Sequence, residues 1–125
     1  MKYLTEKYRR GIVLPLNDNT ERLVRAFQFD YKSKIDTVSI NENDNIYDVI
    51  WESGLIHKIN NKINTSIDDY EEEIIEYNQL DVVLKILKKF NFSTTHENKL
   101  SVFVENLISL IEKAIRLKRP VCFIF

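Results

Sequence analysis

Val121-Cys122-Phe123-Ile124-Phe125 are all apolar and all strand-forming, with no polar residue between them. A strand with one wet face alternates apolar and polar residues, whereas an unbroken apolar run belongs to a strand buried on both faces. This stretch therefore calls for a sheet running through the interior with material packed on each side. Removing it should cost a large part of the core.

The elements upstream follow from spacing. Leu100, Phe103, Val104, Leu107, Ile108, Ile111, Ala114 and Ile115 recur every three or four residues, which predicts a helix over about 96–118 with one apolar stripe. Thr94 and Glu97 have the spacing of a capping box, Lys118 and Arg119 suit the negative end of the helix dipole, and Pro120 stops it. Gly11-Ile12-Val13-Leu14-Pro15-Leu16 is the natural partner of the terminal strand, and Pro15, lacking an N–H, marks an edge or the strand's end. Between Thr20 and Ile40 two readings compete. Alternation of Phe27, Phe29 and Tyr31 with polar residues predicts a strand over Phe27–Lys32, while Asp18 and Glu21 can cap a helix carrying Leu23, Phe27 and Tyr31. Val38 and Ile40 form a further short strand after a polar turn near Lys32-Ser33-Lys34.

After a polar connection, Asp44 or Asn45 can cap a helix bearing Ile46, Val49, Ile50 and Ser53, with a break at Gly54 and a second piece through Ile56, Ile59 and Ile63. Ser66 to Asp69 is another start signal, and Tyr70, Ile74, Tyr77, Leu80, Leu84 and Leu87 keep helical spacing to Phe90. The competing account makes Glu72–Tyr77 a strand and starts the helix at Asn78. The fold class expected is α+β: a small, mostly antiparallel sheet, including strand 121–125, packed against three or four helices. With no repeat, linker or low-complexity tract, residues 1–125 read as a single domain.

At 125 residues, 44% hydrophobic and 30% charged, the chain has the balance of a globular protein able to bury roughly two thirds of its unfolded surface. One cysteine, Cys122, rules out an intramolecular disulfide and suggests a reducing, cytoplasmic setting. Charges interrupt the start, Met1-Lys2-Tyr3-Leu4-Thr5-Glu6-Lys7, and no apolar run approaches the ~20 residues of a membrane span, so no membrane is expected. The net charge of −1 conceals a separation. Residues 36–81 hold twelve carboxylates against Lys58 and Lys62, a formal −10, and the flanks hold +9. Such segregation creates a local field that steers oppositely charged partners.

No catalytic residues, metal ligands or cofactors are expected. His57 and His96 lack companions at zinc spacing, there is no glycine-rich phosphate loop or nucleophile elbow, and Cys122 lies in the apolar terminal run. The distinctive feature is Asp68, Asp69, Tyr70, Glu71, Glu72, Glu73, Glu76 and Tyr77, preceded by Trp51. One or two acids stabilise a helix N-terminus, but so many repel one another, so a docking surface for a basic partner stands as the alternative to a solvated helix face. Tyrosine and tryptophan are the residue types that anchor interfaces, although core burial is the ordinary fate of each taken singly. Carboxylates around aromatic anchors suit an inhibitor of a basic, nucleic-acid-cleaving enzyme, because they can stand where phosphates would. The opposite candidate is a basic-aromatic set, Lys2, Tyr3, Lys7, Tyr8, Arg9, Arg10, Arg22, Arg25, Phe27, Phe29, Tyr31, Lys32 and Lys34, able to hold a single strand by phosphate contacts and stacking. A pI near 6.1 and the lack of a recognition signature make nucleic acid the less favoured partner.

In size, in lacking a catalytic motif, in its acid-aromatic segment Asp68 to Tyr77 and in its late helix running into a terminal strand, the chain resembles the small bacterial immunity proteins of contact-dependent inhibition and related polymorphic toxin systems. The resemblance is one of type and transfers no residue. It implies a cytoplasmic, non-enzymatic protein that binds a cognate toxin domain with a basic surface through Asp68–Glu76, Trp51, Tyr70 and Tyr77. The alternative is a phage- or plasmid-encoded protein that binds nucleic acid or a host factor through the basic N-terminal region.

Overall fold

The computed structural model describes residues 9–41, 43, 45–90 and 97–125, with backbone only for Glu97. The chain runs β1 (Arg10–Pro15), α1 (Asp18–Arg25), β2 (Ile35–Ile40), α2 (Ile46–Glu52), α3 (Leu55–Ile63), β3 (Glu72–Ile75), a 3-10 turn (Tyr77–Gln79), α4 (Leu80–Lys89), α5 (Glu97–Leu117) and β4 (Val121–Ile124). The four strands form one antiparallel sheet in the order β2-β1-β4-β3. The fold is α+β, as the spacing predicts.

Strand alternation divides the apolar residues between two layers. Ile12, Leu14, Val38, Ile40, Ile75, Val121, Phe123 and Phe125 join the large core with residues of α2, α3, α4 and α5. Val13, Cys122 and Ile124 face the other way, where Val24 of α1 and Phe29 cover them. The double coverage explains why β4 has no polar residue: every position of Val121–Ile124 is buried. Burial of this kind stabilises by about 1.5–3 kcal/mol for each large apolar side chain. β4 pairs with β1, as expected, and Pro15 marks the end of β1 and not an edge.

Two expectations fail, each for a physical reason. Residues Phe27–Lys32 form no strand, and a helix occupies Asp18–Arg25 instead. It is capped by Asn17, whose side chain accepts the Thr20 N–H at 2.8 Å, and not by Asp18 or Glu21. The alternation at Phe27 and Phe29 is genuine burial, delivered by a loop: both sides of β1 are already paired, so these rings reach the small core without a ladder of their own. The helix expected over 70–90 is likewise cut short. Glu72–Ile75 is strand β3, and α4 starts at Leu80, close to the competing reading. Tyr70 N–H donates to the Phe125 carbonyl at 3.0 Å and Phe125 N–H to the Glu71 carbonyl at 3.1 Å, so the terminal strand captures this segment.

The two-piece reading of 45–64 holds, with Gly54 at φ 81° between α2 and α3. Asn45 precedes α2 without a side-chain capping bond, and Asp44 lies outside the described residues, as does the Thr94–Glu97 capping box. α5 ends as the sequence indicates. Lys118 enters the left-handed region, its N–H bonds to the Ile115 carbonyl, the Arg119 N–H bonds to that of Ala114, and Pro120 follows. No described helix is long and apolar enough to cross a membrane.

Candidate functional site

The acid segment comprises the connection from α3 to β3, the edge strand itself and the turn beyond it. Asp68, Asp69, Tyr70 and Glu71 lie in the connection, Glu72 and Glu73 on β3, and Glu76 and Tyr77 at its exit. All are exposed except Glu73, which is half-buried. Tyr70 stands out at 84% exposure, held at φ 60° by a backbone that turns sharply into β3. Tyr77 is at 37% and lies against the start of α4. Trp51 does not protrude freely. It is half-buried in an aromatic group with Phe125 at 5.8 Å, His57 at 5.7 Å and Tyr47 at 6.3 Å between ring centroids.

Tyr47, unremarked in the sequence reading, joins α2 to the acid connection. Its hydroxyl donates to Asp69 at 2.5 Å, and its ring lies 4.2 Å below the Arg10 guanidinium. Burial, reinforced by the Asp69 hydrogen bond, pushes the Tyr47 phenol up to about 12. Arg10 also lies 5.1 Å from the Tyr70 ring and 3.6 Å from Asp69. The i, i+4 spacing of Tyr47 and Trp51 on α2 was a visible signal of a shared face; Arg10 had none.

Part of the negative charge is answered from within the chain. Arg25 at the end of α1 grips Glu76 with two hydrogen bonds of 2.9 and 2.8 Å, which holds the Glu76 carboxyl below its usual range and the guanidinium above its own. Asp36 is paired with Lys113 of α5, and Asp69 with Arg10. Elsewhere, Arg119 ties the α5–β4 junction to α1 through Asp18 at 2.9 Å and Glu21 at 3.0 Å. The hydrogen bond that Arg119 donates to Asp18 leads the causes that raise the Arg119 pKa.

A negative surface remains after these pairings. Among the described residues, Asp48, Glu52, Asp68, Glu71, Glu73 and Asp81 have no ion-pair partner. Asp48 and Glu52 are one turn apart on α2, the helix that Tyr47 and Trp51 dock beside the acid connection. Asp68 and Glu73 are held in place by backbone N–H groups, of Asp69 at 2.7 Å and of Ser66 at 2.6 Å. Carboxylates held in this way have less side-chain freedom to lose on meeting a cationic surface.

Four members of the basic-aromatic set, Arg9, Arg10, Phe27 and Phe29, line one open depression of about 900 Å³, which they share with Tyr70 and the acids Glu71 and Glu72. Arg25 and Arg10 face acids, Arg22 bonds Asn19 at 3.2 Å, and Phe29 is 2% exposed in the small core. Arg9, Arg22, Arg25, Tyr31, Lys32 and Lys34 are exposed, with the Lys32 ammonium 5.8 Å from the Tyr31 ring. Lys2, Tyr3, Lys7 and Tyr8 lie outside the described residues. No group of three or more His, Cys, Asp or Glu side chains is placed to hold a metal among the described residues. Cys122 is fully buried, and His57 lies against Trp51.

Comparison with protein families gives no match, nor does comparison with curated proteins. Among solved structures the chain is similar in fold to the Neisseria DNA mimic protein DMP12. The TM-score is 0.61 and the identity 22%, with 94% of this chain and 100% of that chain covered.

Proposed function

We propose that this chain is a binding protein that presents unpaired carboxylates to a basic, nucleic-acid-binding protein and so occupies the surface meant for phosphates. The observation that carries the reading is the set of acids left unpaired after Arg10, Arg25 and Lys113 have taken their partners: Asp48, Glu52, Asp68, Glu71, Glu73 and Asp81. Asp48 and Asp81 lie in the first turns of α2 and α4, where a carboxylate stabilises its helix, but Glu52, Asp68, Glu71 and Glu73 have no such role and favour an oppositely charged partner. Duplex DNA carries one negative charge per ~1.7 Å of its axis, and a protein built to grip it must accept dense anionic charge from any source. The fold shared with a DNA mimic protein supports the same reading. Tyr70, exposed beside the acids, is the aromatic anchor. In its narrower form, which the immunity-protein resemblance suggests, the partner is a nuclease toxin domain.

The test uses the immobilised chain in a bacterial extract. Bound proteins should be released by duplex DNA and by salt, and replacing Asp48, Glu52 and Glu71 with Lys should weaken capture about tenfold or more at low salt, the gap narrowing as salt screens the field. Capture indifferent to both DNA and charge reversal, or direct binding of DNA by the chain in a gel-shift titration, overturns the proposal.

A further inference from the structure

The two edges of the sheet are built differently. β3 is four residues long and carries Glu72 and Glu73, a charged and short edge of the kind that discourages further pairing. β2 is six residues, Ile35-Asp36-Thr37-Val38-Ser39-Ile40, with no proline or lysine, and its single charge, Asp36, is neutralised by Lys113 of the same chain. The direction of its hydrogen-bonding groups follows from the register. Leu16 donates its N–H to the Lys34 carbonyl at 3.0 Å, and the β1–β2 register places Leu16 opposite Lys34, so even-numbered residues of β2 turn their backbone groups toward β1. Ile35, Thr37 and Ser39 turn theirs outward, where no described residue meets them. Two adjoining depressions of about 410 and 380 Å³ run between this edge and α5, and Val102, at 57% exposure, stands beside them.

We propose that β2 pairs antiparallel with β2 of a second copy about a two-fold axis through Thr37. In that register Thr37 opposes Thr37 of the other copy and Ile35 opposes Ser39, so every outward residue of both strands is matched by about six backbone hydrogen bonds. The edge is self-complementary in charge as well. Each copy brings one carboxylate and one ammonium, Asp36 and Lys113, to the axis, and opposite signs interleave there. A two-fold axis perpendicular to the sheet keeps both helical layers on one side, so the two α5 helices become neighbours and Val102 of each turns from water toward the other.

One consequence rests on the function proposed above. The strand order becomes β3-β4-β1-β2-β2-β1-β4-β3, and the two acid edges stand at opposite ends of the extended sheet. Seven strand spacings of about 4.8 Å separate them by about 34 Å. That is one turn of duplex DNA, the half-site spacing of a dimeric DNA-binding protein. The partner class that fits is therefore a two-fold protein with two basic grips one helical turn apart.

Sedimentation equilibrium of the full chain tests the pairing without any partner. The expected mass is twice 14.9 kDa at submillimolar concentration. Thr37→Pro removes only an outward N–H, which an edge strand tolerates, and should give a folded monomer by circular dichroism. Val102→Lys leaves the strand untouched and should also weaken the dimer. A wild-type monomer throughout the range, or a dimer that survives both substitutions, overturns the proposal. A dimer lost in both variants, together with capture that ignores DNA, upholds the pairing and sinks the function proposed above. Capture equal in wild type and Thr37→Pro sinks the two-grip spacing.

Discussion

Among the described residues, four other than glycine, Phe27, Asn64, Tyr70 and Lys118, hold a positive φ, in a sequence with two glycines. A side chain in the left-handed region costs about 1–2 kcal/mol, least for asparagine. Lys118 is exposed and closes α5 through backbone bonds alone, so Lys118→Gly should raise stability by about 1 kcal/mol and the melting temperature by about 3–5 °C, read by calorimetry. Phe27→Gly should destabilise instead, because the ring packs in the small core. A second consequence concerns pH. The Glu76 carboxyl is held below its usual range by Arg25, so its contribution is present above the ordinary carboxylate pKa and is lost as pH falls through the lowered folded value. Both partners are partly exposed, and the effect is correspondingly modest. Urea midpoints at neutral and acid pH should converge more closely in Glu76→Gln than in the wild type; equal slopes would show that the Arg25 pair contributes nothing.

At the scale of the element, β4 is the strand on which the others depend. It joins β1 to β3, faces both cores and receives the turn into β3 through Phe125. Phe123→Ala should cost about 3–5 kcal/mol in urea denaturation, and a chain ending at Pro120 should not fold cooperatively. The helices α2, α3 and α5 were legible because three- and four-residue spacing states directly which side is apolar, and Gly54 states where one helix must give way to another. The segment 70–77 admitted two readings, a helix and a strand over Glu72–Tyr77. Tyr70, Ile74 and Tyr77 fit a helix by spacing, yet a strand wins because its backbone partner is Phe125, far along the chain. Phe27 and Phe29 show the converse, an alternating pattern that is honoured in burial but not in hydrogen bonding.

For the whole molecule, charge separation is the governing property. The acid middle and basic flanks meet at Arg25–Glu76, Arg10–Asp69 and Lys113–Asp36, and the surplus stays on the surface. Unpaired like charges destabilise the folded state at low ionic strength through mutual repulsion. Raising the NaCl concentration should therefore raise the melting temperature of the wild type, while the variant with Asp48, Glu52 and Glu71 replaced by Lys should show little or no rise. Melting that falls with salt in the wild type would mean that its ion pairs outweigh its unpaired acids. The site was legible only in composition: Asp68 to Tyr77 announced an acid-aromatic surface, but Tyr47, Arg10 and Arg25, which decide how much of it stays negative, are scattered along the chain, with Arg25 51 residues from Glu76.

The sequence alone determined that strand 121–125 is buried on both faces, that a long amphipathic helix precedes it, that the fold is α+β and that negative charge gathers in the middle of the chain. Each of these depends on a residue's type and its near neighbours, which a linear pattern records. Tertiary structure decided the strand order, the loss of helix at 70–77 and the identity of the acids left unpaired. Those depend on which distant backbone groups and guanidinium ions come within hydrogen-bonding reach, and local periodicity carries no information about partners brought together only when two cores close on one sheet.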